Sequence, residues 1–270
     1  MERLEAIRDY GVTIEIGGMP IRLCTDDSAY LSRLQDRFAG FISPSRPREL
    51  KLEIDLVLPG RSDSEEQVQV RNHGGRWTIE RSDFQAGLDL GSRRGWVRQP
   101  AHPYATDSVL RILHSMVLAR EGGFLLHSAS ALRNGRSFFF FGSSGAGKST
   151  ILSLAPPDVT LLTDEISYLR KQGDNYVAYG TPFTGELGRA GDNAFAPVAA
   201  LYHLVQGSEN RIEPMAPAEA LRELLECVLF FAEDSELMKQ IFHSACELVS
   251  RVPVQQLVFL PDARVWELIT

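Results

Sequence analysis

The stretch from Arg136 to Thr150, Arg-Ser-Phe-Phe-Phe-Phe-Gly-Ser-Ser-Gly-Ala-Gly-Lys-Ser-Thr, constrains this chain more than any other. An apolar run of strand type, Phe138 to Phe141, leads into Gly142-Ser143-Ser144-Gly145-Ala146-Gly147-Lys148-Ser149, which fits the phosphate-binding pattern of Gly, four residues, Gly-Lys and Ser or Thr. A loop that wraps a polyphosphate must turn its backbone N–H groups inward, and Gly142, Gly145 and Gly147 permit the φ values and close approach that side chains would block. A helix opening near Lys148 would point its positive end at the anion. On this reading Lys148 neutralises the β and γ phosphates, the Ser149 hydroxyl ligates Mg²⁺, and Thr150 continues the helix into Ile151, Leu152 and Leu154. The competing reading is a glycine turn that binds nothing. The strand before it and the helix-compatible run after it favour nucleotide binding.

Pro156-Pro157 must stop that helix early, and Val159 to Thr163 reads as the next strand, ending at Asp164-Glu165. An acidic pair at the end of an apolar strand is where phosphate-loop proteins hold Mg²⁺ or activate a nucleophile, so Asp164 and Glu165 are expected to serve metal or base. The short interval from Lys148 to Asp164 leaves room for one helix and one strand, unlike motor, RecA-like or transporter ATPases. Farther on, Gly180 to Asn193 is rich in Gly and polar residues, and a loop that long inside a compact domain is usually functional or mobile. It offers Glu186 as a metal contact and Arg189 to neutralise a transferring phosphoryl group. Arg211, in a polar turn, is a further candidate for the nucleotide.

Composition narrows the class. The 270 residues are 44% hydrophobic, enough for one large core or two modest ones. A formal charge of −7 provides no overall field for nucleic acid or an anionic membrane. Met1-Glu2-Arg3-Leu4-Glu5 carries charge where a secretory peptide has its apolar core, and no run is long enough to span a bilayer, so a cytoplasmic protein is expected. Cys24, Cys227 and Cys246 show no metal or disulfide spacing and read as buried or half-buried thiols.

Residues 1–103 read as a β-rich domain. Val12 to Ile16 and Ile21 to Leu23 flank the turn signal Gly17-Gly18, and Tyr30, Leu31, Leu34 and Phe38 recur at helical spacing behind Asp26-Asp27-Ser28. Leu50 to Leu56 alternates as a strand, a charged loop follows from Arg61 to Glu66, and Val68–Val70, Trp77–Ile79 and Gly87–Leu90 are further strands. The arginines Arg71, Arg76, Arg81, Arg93, Arg94 and Arg98 read as a solvated sheet face rather than a docking surface.

Residues 104–270 read as the phosphate-loop domain. A helix runs from Ala105 to Gly122-Gly123, and Phe124 to Ala129 forms a strand joined through the tight turn Asn134-Gly135 to the strand that feeds the loop. His127 therefore lies on the strand paired with the loop-bearing one. Tyr176–Tyr179 and Ala199–Leu204 are strands, and two amphipathic helices follow, one with Leu221, Leu224, Leu225, Val228 and Leu229 behind Pro217 and one from Leu237 to Val249. Val254–Leu260 and Val265–Ile269 close the domain as strand-like runs. His73, His102, His114, His203 and His243 show no ligand spacing and read as structural.

The section from His127 to about Arg189 resembles the catalytic domain of HPr kinase/phosphorylase, whose fold is similar to that of phosphoenolpyruvate carboxykinase. His127 precedes Gly142 as a histidine precedes that family's loop; Gly-Ser-Ser-Gly-Ala-Gly-Lys-Ser matches the loop, and Leu-Leu-Thr-Asp-Glu resembles its strand ending in two acidic residues. The resemblance implies ATP and Mg²⁺, with Asp164 as general base toward a hydroxyl, His127 near the phosphates, and Lys148 and Ser149 holding nucleotide and metal. Glu165 stands where the family has Asp, Thr150 replaces an acidic residue, and the family's Arg-Gly-Leu-Gly signature is absent. The chain looks more like HPr-kinase-related proteins of unassigned role, some of which phosphorylate peptides in natural-product pathways.

The expectation is therefore an α+β or α/β protein with an N-terminal β-rich domain and a P-loop domain of that type. Its expected activity is ATP- and Mg²⁺-dependent phosphotransfer to a hydroxyl, most simply a serine of a protein or peptide. A small-molecule kinase, or a nucleotide-dependent switch that transfers nothing, would carry the same loop. Neither nucleic acid nor membrane is an expected partner, and a homo-oligomer stays open.

Overall fold

The computed structural model describes residues 10–59 and 67–270, so the charged loop expected from Arg61 to Glu66 and the opening Met1 to Glu5 lie outside the described residues. The chain divides into two compact units. One holds the described residues up to Leu113 with Phe231–Asp234, and the other holds His114–Phe230 and Ser235–Thr270.

The first unit starts with the hairpin β1 (Tyr10–Ile16) and β2 (Met19–Thr25). Gly17 and Gly18 supply the two positive φ values (61° and 76°) that a two-residue hairpin turn requires. Helix α1 (Ser28–Arg37) is capped by the Asp27 carboxylate, which accepts the Tyr30 amide at 2.8 Å, and it buries Tyr30 and Leu34. Strands β3 (Leu50–Leu56), β4 (Gln69–His73), β5 (Arg76–Arg81), β6 (Phe84–Asp89) and β7 (Arg94–Gln99) complete a seven-stranded sheet in the order β1-β2-β3-β7-β6-β5-β4 among the described residues. Strand β7 was not expected from the sequence. Only Val97 and Gln99 of its six residues are buried, so its alternation is faint.

Helix α2 (Pro103–Glu121) carries the chain into the second unit. There β8 (Phe124–Arg133) and β9 (Arg136–Phe141) form a hairpin through Asn134 and Gly135, both at positive φ (52° and 72°). Next come the glycine loop, α3 (Lys148–Ser153), β10 (Thr160–Thr163), β11 (Ile166–Gln172), β12 (Asn175–Tyr179), β13 (Phe195–Gln206) and β14 (Arg211–Pro214). Helix α4 (Pro217–Glu226), the two-residue β15 (Val228–Leu229), α5 (Ser235–Arg251) and β16 (Val254–Phe259) follow. The sheet is mixed. Strand β9 runs antiparallel to β8 and parallel to β13, which in turn runs parallel to β16.

The four consecutive phenylalanines are explained by this central position. Phe139 and Phe141 enter the core shared with α4 and α5 (Leu224, Ala245, Leu248), while Phe138 and Phe140 enter the opposite core with α3 and the C-terminal turn (Ile151, Leu152, Trp266). A strand buried on both faces reads as a continuous apolar run. Burial of each such ring is worth about 1.5–3 kcal/mol.

Two expectations need correction, and one strand is additional. Val228 and Leu229 do not continue α4; Cys227 caps the helix, and the two residues pair with β8. Val265–Ile269 is not a strand, because the Asp262 side chain accepts the Arg264 amide and starts a 3-10 turn over Ala263–Glu267. Strand β11 went unrecognised because its first four residues are all buried, which erases the period-two signal.

Candidate active site

The glycine loop leaves β9 at Gly142 (φ 145°), exposes Ser143, Ser144 and Gly145 at its tip, and enters α3 through Gly147 (φ 107°). Only glycine fits at Gly147, since a Cβ there would sit 2.9 Å from a ring carbon of Phe259. The Ala146 amide donates to the Ser143 carbonyl at 3.1 Å, closing the turn. No side chain caps the first amides of α3. Those uncapped N–H groups are available to an anion. A six-residue helix is only about 9 Å long, so its two end charges partly cancel. Attraction of an anion would rest on the loop amides and Lys148 more than on the helix dipole.

Lys148 is buried, and its Nζ donates to the carbonyls of Gly142 and Ser143, at 3.1 Å each. The lysine thus folds back over the loop's own entry. Beside it opens a cleft of about 520 Å³. Ser144, Gly145, Gly147, Lys148, Ser149 and Thr150 line it from the loop and α3, and His127, Asp164, Glu165, Gly185 and Glu186 line it from β8, the end of β10 and the loop that follows β12. Gly142, Ser143 and Ala146 shape the loop without facing the cleft.

Asp164 is buried where β10 ends, and each of its carboxylate oxygens accepts one backbone amide. Oδ1 accepts the Gly185 amide at 2.9 Å and Oδ2 the Leu187 amide at 2.7 Å. The long loop expected from Gly180 to Asn193 is present and fastened at both ends. Thr181 and Asp192 donate their amides to the carbonyls of Leu162 (3.0 Å) and Leu161 (2.8 Å). Between those ends, the Asp164 anchor brings Glu186 to the cleft. Arg189, on the same loop, is exposed and does not line the cleft. Arg211 is also elsewhere: it opens β14 and pairs with Glu209 (2.8 Å) and Glu213 (2.7 Å).

His127 lies one residue beyond the β8–β9 pairing, opposite Ile166 of β11. Partial desolvation at the cleft wall and then the nearby Lys148 charge hold its pKa below the ordinary histidine value, with Glu165 opposing. The neutral form of the ring is thereby favoured.

Three residues behind the loop were not singled out from the sequence. Gln206, at the end of β13, donates Nε2 to the Gly145 carbonyl at 2.8 Å. Phe259, at the end of β16, backs Gly147. Cys227, at the end of α4, accepts the His127 amide at its carbonyl (2.7 Å). Each comes from a distant segment, and no local pattern marks any of them.

The described residues thus form a mixed α+β protein of two units, the larger of which gathers a glycine loop, one lysine and three carboxylates around a single cleft. No helix among them is long and apolar enough to cross a membrane. Residues 105–270, more than half the chain and including the whole cleft, match the family described as SynChlorMet cassette protein ScmC. The chain belongs to that family. No curated protein matches it. Among solved structures, the HPr(Ser) kinase/phosphatase from Coxiella burnetii is similar at 10% identity over 50% of this chain and 84% of that one, with a TM-score of 0.27. That superposition carries no residue correspondence into the cleft.

Proposed function

We propose that this protein is an ATP- and Mg²⁺-dependent phosphotransferase acting on a hydroxyl, with a serine of a protein or peptide as acceptor. The observation that carries the reading is the convergence on one cleft of Lys148 and Ser149 with Asp164, Glu165 and Glu186. A polyphosphate laid along the uncapped loop would meet inward amides and the Lys148 ammonium. The cleft would then present a carboxylate to the acceptor.

The donor set suits a hard cation. Ser149, Asp164, Glu165 and Glu186 offer only oxygen. Among the described residues, no group of three or more His, Cys, Asp or Glu could hold a metal ion by itself, so phosphate oxygens would complete its shell. When bound, Mg²⁺ supplies neutralisation of charge on the β and γ oxygens.

Lys148 would exchange its two carbonyl contacts for phosphate oxygens, gaining the stronger charge-assisted bonds. Asp164 would receive the acceptor proton, each carboxylate oxygen keeping a lone pair beyond the one its loop amide uses. His127, its neutral form favoured, would stand beside the transferring group without adding a proton of its own.

A second reading is favoured by the Asp164 geometry: a carboxylate committed to holding a loop suits a nucleotide-dependent switch that transfers nothing. Titration of the protein with ATP and Mg²⁺ by calorimetry, beside Lys148→Ala, tests what both readings share. Saturable binding that weakens at least tenfold in the variant supports nucleotide binding; equal binding, or none, overturns it.

A further inference from the structure

The glycine loop is seated on the ends of two neighbouring parallel strands. Gln206 and Phe259, the last residues of β13 and β16, are register partners. A Cβ at Gly142 would lie 3.2 Å from the Leu204 carbonyl, and one at Gly147 would lie 2.9 Å from the Phe259 ring, so both ends of the loop rest on that seat. The tip has no such packing, since a Cβ at Gly145 would meet nothing within 4 Å. What reaches the tip is the Gln206 side chain, whose Nε2 donates to the Gly145 carbonyl at 2.8 Å.

That carbonyl shares a planar trans peptide with the Ala146 N–H, which points the opposite way and donates to the Ser143 carbonyl at 3.1 Å. Both ends of one peptide plane are therefore held, one from across the fold and one from within the loop. The plane turns about ψ of Gly145 and φ of Ala146, and glycine leaves the first of these free to move. A half-turn would swing the carbonyl oxygen toward the Ser143 carbonyl, beside which Lys148 lies. A phosphate drawn to Lys148 would then meet an acceptor in place of a donor.

We infer that Gln206 is a positioning residue that locks the Gly145–Ala146 peptide and keeps the empty loop in the conformation that accepts polyphosphate. The inference rests on the reading of this loop as the nucleotide site; the lock itself is a property of the protein without ligand. A loop that spends only part of its time in the competent form binds with an affinity lowered by that fraction. Once polyphosphate is bound, its own contacts hold the loop, so loss of the lock should raise KM and leave kcat unchanged. Gln206 does not line the cleft, and its effect must pass through the loop.

The experiment compares wild type with Gln206→Met, which keeps the length and loses the donor, and with Gln206→Arg, which keeps a donor of sufficient reach. The side chain is exposed, so neither change disturbs the core. Without ligand, the carbonyl carbon shift of Gly145 and amide exchange at Ala146 are read by NMR. In Gln206→Met the Gly145 shift should move and Ala146 should exchange about fivefold faster, the change that one net hydrogen bond gives, while Gln206→Arg stays within about twofold of wild type. Dissociation constants are then read by calorimetry for ATP and for inorganic pyrophosphate, which has neither base nor sugar, each with Mg²⁺. Gln206→Met should weaken both by about fivefold. An unchanged Gly145 shift and unchanged Ala146 exchange in Gln206→Met overturn the lock. Weaker ATP binding with unaltered pyrophosphate binding overturns it too, because Gln206 would then touch the nucleoside. Should wild type bind neither ligand, the nucleotide reading falls, while the ligand-free comparison still decides the lock.

Discussion

The carboxylate of Asp164 is hydrogen-bonded to the backbone of Gly185, 21 residues farther along the chain, at 2.9 Å. With the second bond to Leu187, it makes one side chain both the proposed proton acceptor and the fastening of the loop that carries Glu186. Asparagine has a single acceptor oxygen, so Asp164→Asn must turn an NH₂ toward one of the two amides. We expect loss of phosphotransfer, faster amide exchange at Gly185 or Leu187, and a stability cost of about 1–3 kcal/mol. A variant that melts, exchanges and turns over as wild type does would refute both roles.

Gly147 and Gly145 both sit at positive φ (107° and 79°) yet differ in surroundings. A Cβ at Gly147 meets Phe259, whereas one at Gly145 meets open space. Gly147→Ala should therefore weaken ATP binding more than Gly145→Ala, whose cost is backbone strain of about 1–2 kcal/mol. Adding Phe259→Leu to Gly147→Ala should recover part of the loss. Equal affinities of the two single variants, measured by calorimetry, would contradict this geometry.

His127 reports the charge state of the cleft. Because desolvation and Lys148 lower its pKa while Glu165 raises it, Lys148→Ala should move the NMR titration midpoint upward. Glu165→Gln should move it farther down. Movement in the opposite sense in either variant would show that the ring does not sense these charges.

His114 makes fold stability depend on pH. It is fully buried, Nδ1 lies 3.2 Å from the Tyr168 hydroxyl, and burial first, then the Arg170 charge, pulls its pKa from 6.5 to about 3. The unfolded chain binds a proton below its ordinary value while the folded chain does not. Stability should therefore fall as pH drops through the window from 6.5 to about 3, at up to about 1.4 kcal/mol per pH unit from this group. His114→Gln removes the titration, so denaturant melts between pH 7 and pH 5 should show a shallower slope. An unchanged slope would assign the acid sensitivity to other groups.

Much of this was legible in the sequence where the causes are local. Gly17-Gly18 and Asn134-Gly135 specify tight turns, Asp27 caps α1, and Pro217 starts α4, each through chemistry confined to a few residues. The glycine loop and the acidic strand end announced themselves by spacing, and the structure brings Lys148, Ser149, Asp164 and Glu165 to one cleft. The parallel pairing of β9 with β13, and of β13 with β16, depends on long crossovers that no local pattern encodes. The supports behind the loop, Gln206 and Phe259, arrive through that pairing, so they were invisible. Arg189, read from the long polar loop, is exposed, and Arg211, read from a polar turn, pairs with neighbouring glutamates; neither lines the cleft.

The account is tested most directly by incubating the purified protein with γ-labelled ATP, Mg²⁺ and an extract of its source cells, with Lys148→Ala as the blank. The label is followed by gel and by mass. The expected result is a labelled polypeptide, phosphorylated on a hydroxyl, that is absent from the blank. ATP that binds tightly while no polypeptide or metabolite takes up label would contradict phosphotransfer and leave the switch in its place.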